Sequence, residues 1–218
     1  MNAGDKNGRG LSVQAVQRMP YYLDFLKKQL EKGAKLIPAS ALAAEFNLSE
    51  IQARKDLASV CKNGGRPRTG FVIEDLINDI ETLLGFRDTS NAVLVGAGHL
   101  GQALMSYGGF ASYGLNILAA FDSSEKKVGS QVNGKQVFAA DKISELCRRM
   151  NVHIGIITVP AGGAQIVCDQ LVAGGVVGIW NFAPVYLSVP EHVMVQNENM
   201  AASLAMLSKH VQKQMGRV

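Results

Sequence analysis

Between Val13 and Leu30 the apolar residues Val16, Met19, Leu23, Leu26 and Leu30 recur every three or four positions. That spacing lines one face of an α-helix and leaves the charged residues on the other. Pro38-Ala39-Ser40 opens a second, shorter helix, with Ser40 as its expected N-cap and Leu42, Ala43 and Phe46 turned inward. Asn47-Leu48-Ser49 breaks the pattern, and Ser49 caps a third helix that runs to about Val60. Glu50 in its first turn suits the positive end of the helix dipole. Gly64-Gly65-Arg66-Pro67-Arg68-Thr69-Gly70 holds too many turn residues for a helix and predicts a hairpin. Phe71-Val72-Ile73 and a fourth helix through Leu84 follow. Helix, helix, turn, helix, hairpin is the order of a winged helix-turn-helix.

The period changes after the polar, turn-rich stretch Gly85–Ser90. Short Val/Ile-rich runs then predict strands at Asn91–Val95, Asn116–Phe121, Gly155–Val159, Val176–Trp180 and Val193–Gln196. Helical patterns lie between them at His99–Tyr107, Lys142–Met150 and Gly163–Ala173. Strands alternating with helices imply an α/β domain with a parallel sheet covered on both faces.

At the first of these strands the chemistry becomes specific. The buried run Ala92-Val93-Leu94-Val95 leads into Gly96-Ala97-Gly98-His99-Leu100-Gly101, which opens a helix. The next strand ends in Asp122, 21 residues after Gly101. This is the full Rossmann dinucleotide fingerprint, which is far more specific than the glycine pattern alone. Gly96 makes the tight turn, Gly98 lets a pyrophosphate approach the backbone, and Gly101 lets helix and strand pack closely. The free amides at the helix start attract the phosphates. Asp122 is expected to accept the adenosine ribose hydroxyls, which favours NAD over NADP, while Lys126 and Lys127 weaken that preference. Thr158-Val159-Pro160 and Asn181 sit at the carboxyl ends of two later strands, where ligands bind in such sheets. They are candidates to line a nicotinamide pocket.

Composition narrows the function classes. Apolar residues make up 47% of the chain, enough for a core, but no apolar run approaches a membrane span. The first ten residues are polar and carry no apolar signal segment, so the expected location is cytoplasmic. Cys61, Cys147 and Cys168 are too scattered for a metal site or a redox pair, and no metal is expected. The histidines His99, His153, His192 and His210 form no cluster, and only about 33 residues follow Val185. A dehydrogenase needs an acid or base and a substrate domain beside its cofactor. No catalytic residue is therefore expected. The alternative is a small NAD-dependent oxidoreductase, or another Rossmann binding module with a helical appendage.

The net charge of +4 decides little, but its distribution does more. Arg54, Lys55, Lys62, Arg66 and Arg68 face one acid, Asp56, across Arg54–Arg68. On the third helix Ala53, Leu57 and Val60 turn inward. Gln52, Lys55, Ser59 and Lys62 fall on the opposite face, with Arg54 beside them. A basic face of this kind suits the major groove of DNA, and Arg66 and Arg68 at a hairpin tip suit a neighbouring phosphate or the minor groove.

With these motifs in view, the chain resembles the Rex family of redox-sensing transcriptional repressors over nearly its full length. The residues that carry the resemblance are Gln17-Arg18-Met19-Pro20-Tyr21-Tyr22-Leu23, Ala53-Arg54-Lys55-Asp56-Leu57, the Gly96–Leu104 segment, Tyr107-Gly108-Gly109-Phe110, Ala120-Phe121-Asp122, Ile157–Ala161 and Asn181-Phe182-Ala183-Pro184. The resemblance implies a homodimer whose winged helices (residues 1–85) bind double-stranded operator DNA, with Arg18 joining the contacts. It implies a Rossmann domain (86–198) that binds NADH or NAD+, with Lys127 and Tyr107 in the site, NADH releasing the DNA. It also implies a C-terminal dimerisation helix (199–218) swapped onto the partner, whose apolar stripe here is Met200, Leu204, Leu207 and Val211. Three positions depart from the family pattern. The wing ends in Gly70-Phe71 rather than Gly-Tyr. Val60-Cys61-Lys62-Asn63 replaces an aromatic-Gly pair. Asn199 stands where an Asp is usual, which leads us to expect a weaker redox response.

Overall fold

The computed structural model describes residues 11–65, 69–87 and 90–216. The chain divides into two compact units, residues 1–88 and 89–218. The first unit is built from α1 (Val13–Glu31), β1 (Leu36–Ile37), α2 (Ala39–Glu45), α3 (Glu50–Val60), β2 (Phe71–Val72) and α4 (Ile73–Leu83). β1 and β2 pair antiparallel, Leu36 opposite Val72 and Ile37 opposite Phe71. The helix-turn-helix and the strand after the wing are as the sequence predicts, but that strand pairs with β1, which was not foreseen, and among the described residues no strand lies between α3 and the wing. The wing tip, with Arg66 and Arg68, lies outside the described residues.

Two local expectations change. α2 starts at Ala39 with Pro38 at the N-cap, so Ser40 lies inside the first turn, too late to cap it. Val16 is exposed, and the buried stripe of α1 is Ala15, Met19, Tyr22, Leu23 and Leu26. Val16 is one position, about 100° of helix rotation, off that stripe. Ser49 does cap α3, accepting from the Gln52 amide at 3.2 Å.

Asp56 is the polar centre of this unit. It is 2% exposed and lies among the apolar side chains of α1 and α3. Arg18 donates to it through Nε at 2.8 Å and Nη2 at 3.0 Å. The Tyr22 hydroxyl donates at 2.9 Å and Gln52 Nε2 at 2.7 Å. Burial, and then the neighbouring carboxylate, push the Tyr22 hydroxyl up to about 12, so it stays a donor at physiological pH. The network fixes α3 against α1 through oriented bonds, whereas apolar packing alone would tolerate sliding.

The second unit is a seven-stranded sheet in the order β5-β6-β4-β3-β7-β8-β9. Its strands are β3 (Ser90–Val95), β4 (Leu115–Asp122), β5 (Gln131–Val132), β6 (Lys135–Ala139), β7 (Ile154–Ile157), β8 (Gly178–Asn181) and β9 (Met194–Asn197). Every pairing except β5–β6 is parallel. Without β5, this is the doubly wound Rossmann order, whose crevice opens where the chain crosses from one side of β3 to the other. The helices are α5 (His99–Ser106), α6 (Ile143–Arg149), α7 (Ala161–Ala173) and α8 (Met200–Gln214). Alternate residues of β3 feed opposite faces. Val93 and Val95 pack with Ile143, Cys147, Cys168 and Leu171, whereas Ala92 and Leu94 pack with Met105. The β5–β6 hairpin was not predicted, although Asn133 (φ 50°) and Gly134 (φ 74°) carry its turn. Asn-Gly at two positive-φ positions is the strongest short hairpin signal a sequence offers.

Replacing Asp56 with Ala should destabilise the first unit by about 2–4 kcal/mol, because it leaves the buried Tyr22 hydroxyl and the half-buried Arg18 guanidinium without their acceptor. Arg54→Ala, which removes an exposed pair with Glu50, should change stability by less than about 0.5 kcal/mol. Urea unfolding of both variants beside the parent checks this.

Candidate functional site

The loop after β3 shows why glycine stands at each fingerprint position. Gly96 has φ +104°, and a Cβ there would sit 2.9 Å from the Thr158 carbonyl. A Cβ on Gly101 would lie 2.1 Å from the Gly96 carbonyl oxygen. Both positions are closed by the protein itself. Gly98 differs: its φ is −80°, and a Cβ there would meet nothing within 4 Å. The fold does not require glycine at Gly98, but a ligand resting on the loop would.

That open space belongs to a cavity of about 640 Å³ at the carboxyl ends of the strands. Of the residues singled out in the sequence, Gly96, Gly98, Asp122, Lys127, Thr158, Val159 and Pro160 line it. Size, place and donor set fit a dinucleotide: bare backbone and a helix start for phosphates, and a carboxylate and an ammonium at the far end of β4. Sequence reasoning missed Ala140, Asp141 and Gln170, which also line the cavity. Ala140 and Asp141 follow β6, so missing that strand meant missing them.

Asp122 is 8% exposed. It accepts from the Ala97 amide at 2.9 Å, the Ser124 amide at 2.9 Å and Lys127 Nζ at 3.0 Å. Burial alone would raise its pKa, but Ser124, Lys127 and Ala97 together hold the carboxyl below its usual range. The acid therefore ties the glycine loop to the end of β4 as well as facing the cavity. Thr158 acts from the other side, its hydroxyl donating toward the Val95 and Gly96 carbonyls at 3.0 and 2.8 Å.

Other expected residues are not part of the cavity lining. Ala97 and Gly101 are buried beneath the loop, and His99 and Leu100 are exposed at the start of α5. Asn181 is fully buried. Its amide donates to the Ala183 and Val185 carbonyls and to Asn197 Oδ1, and its oxygen accepts from the Ala183 amide. The structure gives Asn181 the task of closing the turn after β8. A carboxamide was legible as ligand chemistry, but its burial was not. Tyr107 is 57% exposed and packs edge-on against Phe110, with ring centroids 4.9 Å apart. Phe110 meets Trp180 at 5.6 Å, and Trp180 meets Phe182 at 5.0 Å. This aromatic row escaped the sequence reading because its members come from separate elements.

On α3 the outward residues are Arg54 and Lys55, both exposed, with Ile51 and Ala58. Three residues placed in the basic face or contact set bond to Asp56. Gln52 is held by Asp56, and Ser59 turns its hydroxyl to the Asp56 carbonyl at 2.6 Å. Arg18 is occupied by Asp56. Helical spacing alone cannot show these bonds, because Asp56 is buried by Arg18 and Tyr22 of α1. Lys62, past the end of the helix, bonds through its amide to Asp79 at 2.8 Å. All three cysteines are buried, and desolvation raises the thiol pKa of Cys61 and pushes Cys147 and Cys168 to about 11. None is primed as a thiolate. Among the described residues no cluster of three metal-ligating side chains forms, and no helix is long and apolar enough to cross a membrane.

Two outcomes follow for the cleft. Gly98→Val should keep the parent's thermal stability and weaken NADH binding roughly 10- to 100-fold by filling ligand space, while Gly101→Val should fail to fold; calorimetric titration and thermal melting separate them. Asp122→Asn should be less stable than the parent near pH 7. A depressed carboxyl stabilises above its unfolded pKa of about 4 and loses that effect as pH falls through its folded value. The gap in urea midpoint should therefore narrow below about pH 4.

Comparison with known proteins agrees with this geometry. A family model described as a CoA binding domain matches residues 87–185. A model described as the N-terminus of a putative DNA-binding protein matches residues 10–58. A redox-sensing transcriptional repressor Rex from Bacteroides fragilis is 38% identical over 93% of this chain and 91% of its own. One from Treponema denticola is 37% identical over 90% and 93%. RSP, a Rex-family repressor, in complex with β-NAD+ and operator DNA superposes with a TM-score of 0.88 at 30% identity, covering 94% of both chains. Its complex with β-NADH gives 0.81 over 94% of this chain and 96% of that one. With a DNA-binding head, a Rossmann cleft and relatives of this similarity along nine-tenths of its length, the chain belongs to the Rex family of redox-sensing transcriptional repressors, which are regulators and not enzymes.

Proposed function

We propose that this chain is an NADH-responsive repressor: it holds double-stranded operator DNA when the cleft is empty or carries NAD+, and releases it when NADH binds. The observation that carries the reading is the superposition on a repressor whose structure contains both β-NAD+ and operator DNA. The open space over Gly98 supports the cofactor half, and the exposed Arg54 and Lys55 support the DNA half. Residues 1–85 would read DNA, with Arg66 and Arg68 reaching the flanking backbone, and residues 86–198 would bind the dinucleotide. When bound, the dinucleotide supplies only its redox state. Gly98 and the start of α5 would seat the pyrophosphate, Asp122 and Lys127 the adenosine ribose, and Thr158, Val159 and Pro160 the nicotinamide side. The reading places the protein in the cytoplasm, with the NADH pool and the operator.

The active unit in this reading is a homodimer. α8 has no buried residue: Met200 is 65% exposed, Leu204 63% and Leu207 61%. A stripe of this kind finds cover in a second copy, as the swap implied by the family resemblance would provide. Asn199 caps α8, accepting from the Ala202 amide at 3.0 Å, so the Asp-to-Asn change keeps the cap and loses a charge. Tyr107 and Asn199 are the proposed sensing pair at the nicotinamide end.

Coupling between the two ligands must be reciprocal, so operator DNA should weaken NADH binding by the factor by which NADH weakens operator binding. We expect a factor of about 5 to 20, the low end of ordinary couplings. Equal NADH affinities with and without saturating operator would end the proposal. Lys55→Ala should weaken binding to all duplexes and lower the salt slope by about one; an unchanged slope would remove Lys55 from the interface.

A further inference from the structure

α3 carries a second stripe that faces solvent, in which Arg54 pairs with Glu50 of the same helix. Ile51, Arg54, Lys55 and Ala58 follow the spacing i, i+3, i+4, i+7 and share one face. All four are exposed, opposite the buried Ala53, Asp56, Leu57 and Val60. The unexpected member is Ile51, at 83% exposure. A β-branched residue on a solvated helix face gains no packing and costs helix propensity. Something outside the chain is the natural partner of that side chain.

Its neighbours decide what kind of partner. Arg54 and Lys55 lie one turn further along the same face, so a wholly apolar protein surface would have to strip water from two cations to reach Ile51. The major groove of DNA has the complementary layout, with phosphates at its rims and, on its floor, the C5-methyl group of thymine as an apolar feature. Position along the helix agrees. Ser49 is the N-cap, so Ile51 is in the first turn, and first-turn residues of a recognition helix are those that reach base edges.

We infer that Ile51 is a specificity-determining residue that reads thymine, packing its side chain on a C5-methyl group in each operator half-site while Arg54 and Lys55 grip the flanking phosphates. Cytosine and deoxyuridine offer no such methyl. The inference rests on the reading of α3 as the DNA-binding face.

The test uses full-length protein and duplexes that it enriches from a randomised library. Each thymine is replaced singly by deoxyuridine, which differs only by the missing methyl. The parent should lose about fourfold in affinity at one thymine per half-site, the effect of exposing one methyl-sized group, and roughly fifteenfold when both half-sites are changed. Ile51→Ala should bind the thymine duplex that much more weakly and be indifferent to deoxyuridine at that position. The variant removes an exposed side chain in favour of a stronger helix former, so its melting curve should match the parent's. The inference is overturned if no single methyl matters to the parent, or if Ile51→Ala stays equally sensitive to the same thymine. Lys55→Ala separates this from the underlying reading: it should bind every duplex more weakly yet keep the methyl preference. Unchanged binding by Lys55→Ala would count against the basic face while leaving the methyl result to stand or fall on its own.

Discussion

The functional end of the sheet depends on one close approach of backbone to backbone. α5 starts so near the end of β3 that the Gly101 Cα lies against the Gly96 carbonyl, and a single added carbon would fall 2.1 Å from that oxygen. This contact fixes the first turn of α5 and therefore the direction of its free amides. The Thr158 hydroxyl, donating to the Gly96 carbonyl at 2.8 Å, then ties the loop to the end of β7. Gly98 is left as the one fingerprint glycine facing open space, and the cavity is the consequence. The open space over the loop is thus produced by packing constraints at two glycines and expressed at a third.

Two buried acids perform the same task in the two units. Asp56 gathers Arg18, Tyr22 and Gln52 and sets α3 against α1. Asp122 gathers the Ala97 and Ser124 amides and Lys127 and sets the glycine loop against β4. Each carboxylate has several donors, so its desolvation is compensated by oriented bonds that apolar contacts could not supply. The exposed face of α3 and the cavity are built outward from these centres. With Asp56 turned into the core, Arg54 and Lys55 fall on the solvent face of α3, where Arg54 pairs with Glu50, and Asp122 anchors the loop that forms the cavity wall.

The sequence made the architecture legible because period and punctuation were strong. The 3.6-residue apolar stripe of α1, the Ser49 cap and the strand–loop–helix around Gly96 each have a local cause. What it hid was non-local. Asp56 looked like a counter-ion in a basic stretch because nothing in one dimension shows that Arg18 and Tyr22 converge on it from a helix more than 30 residues earlier. Asn181 looked like a ligand donor because its burial depends on β9 and the following turn. The Tyr107–Phe110–Trp180–Phe182 row needs α5, β8 and the loop between β3 and β4 to be assembled first. The Asn133-Gly134 hairpin is a different case, since its signal was local and was simply missed.

On the proposed reading, the division of labour within the cleft limits where redox state can be sensed. NADH and NAD+ are identical at the pyrophosphate and the adenosine, so Gly98, Asp122 and Lys127 bind both forms alike and can supply affinity only. A ligand shifts an equilibrium only through a difference in its affinity for the two states. That difference must arise where the two forms differ, in one charge and in the planarity of the nicotinamide ring. Buried, fully bonded groups such as Asn181 are poor candidates, because a change of partner there would break the turn after β8. The exposed Tyr107 edge and the cap of α8 can change neighbours without opening a core, and α8 lacks cover in the isolated chain. A sensor that borrows its second wall from another copy links occupancy of the cleft to the arrangement of two subunits. The spacing of two α3 helices on DNA would depend on that arrangement.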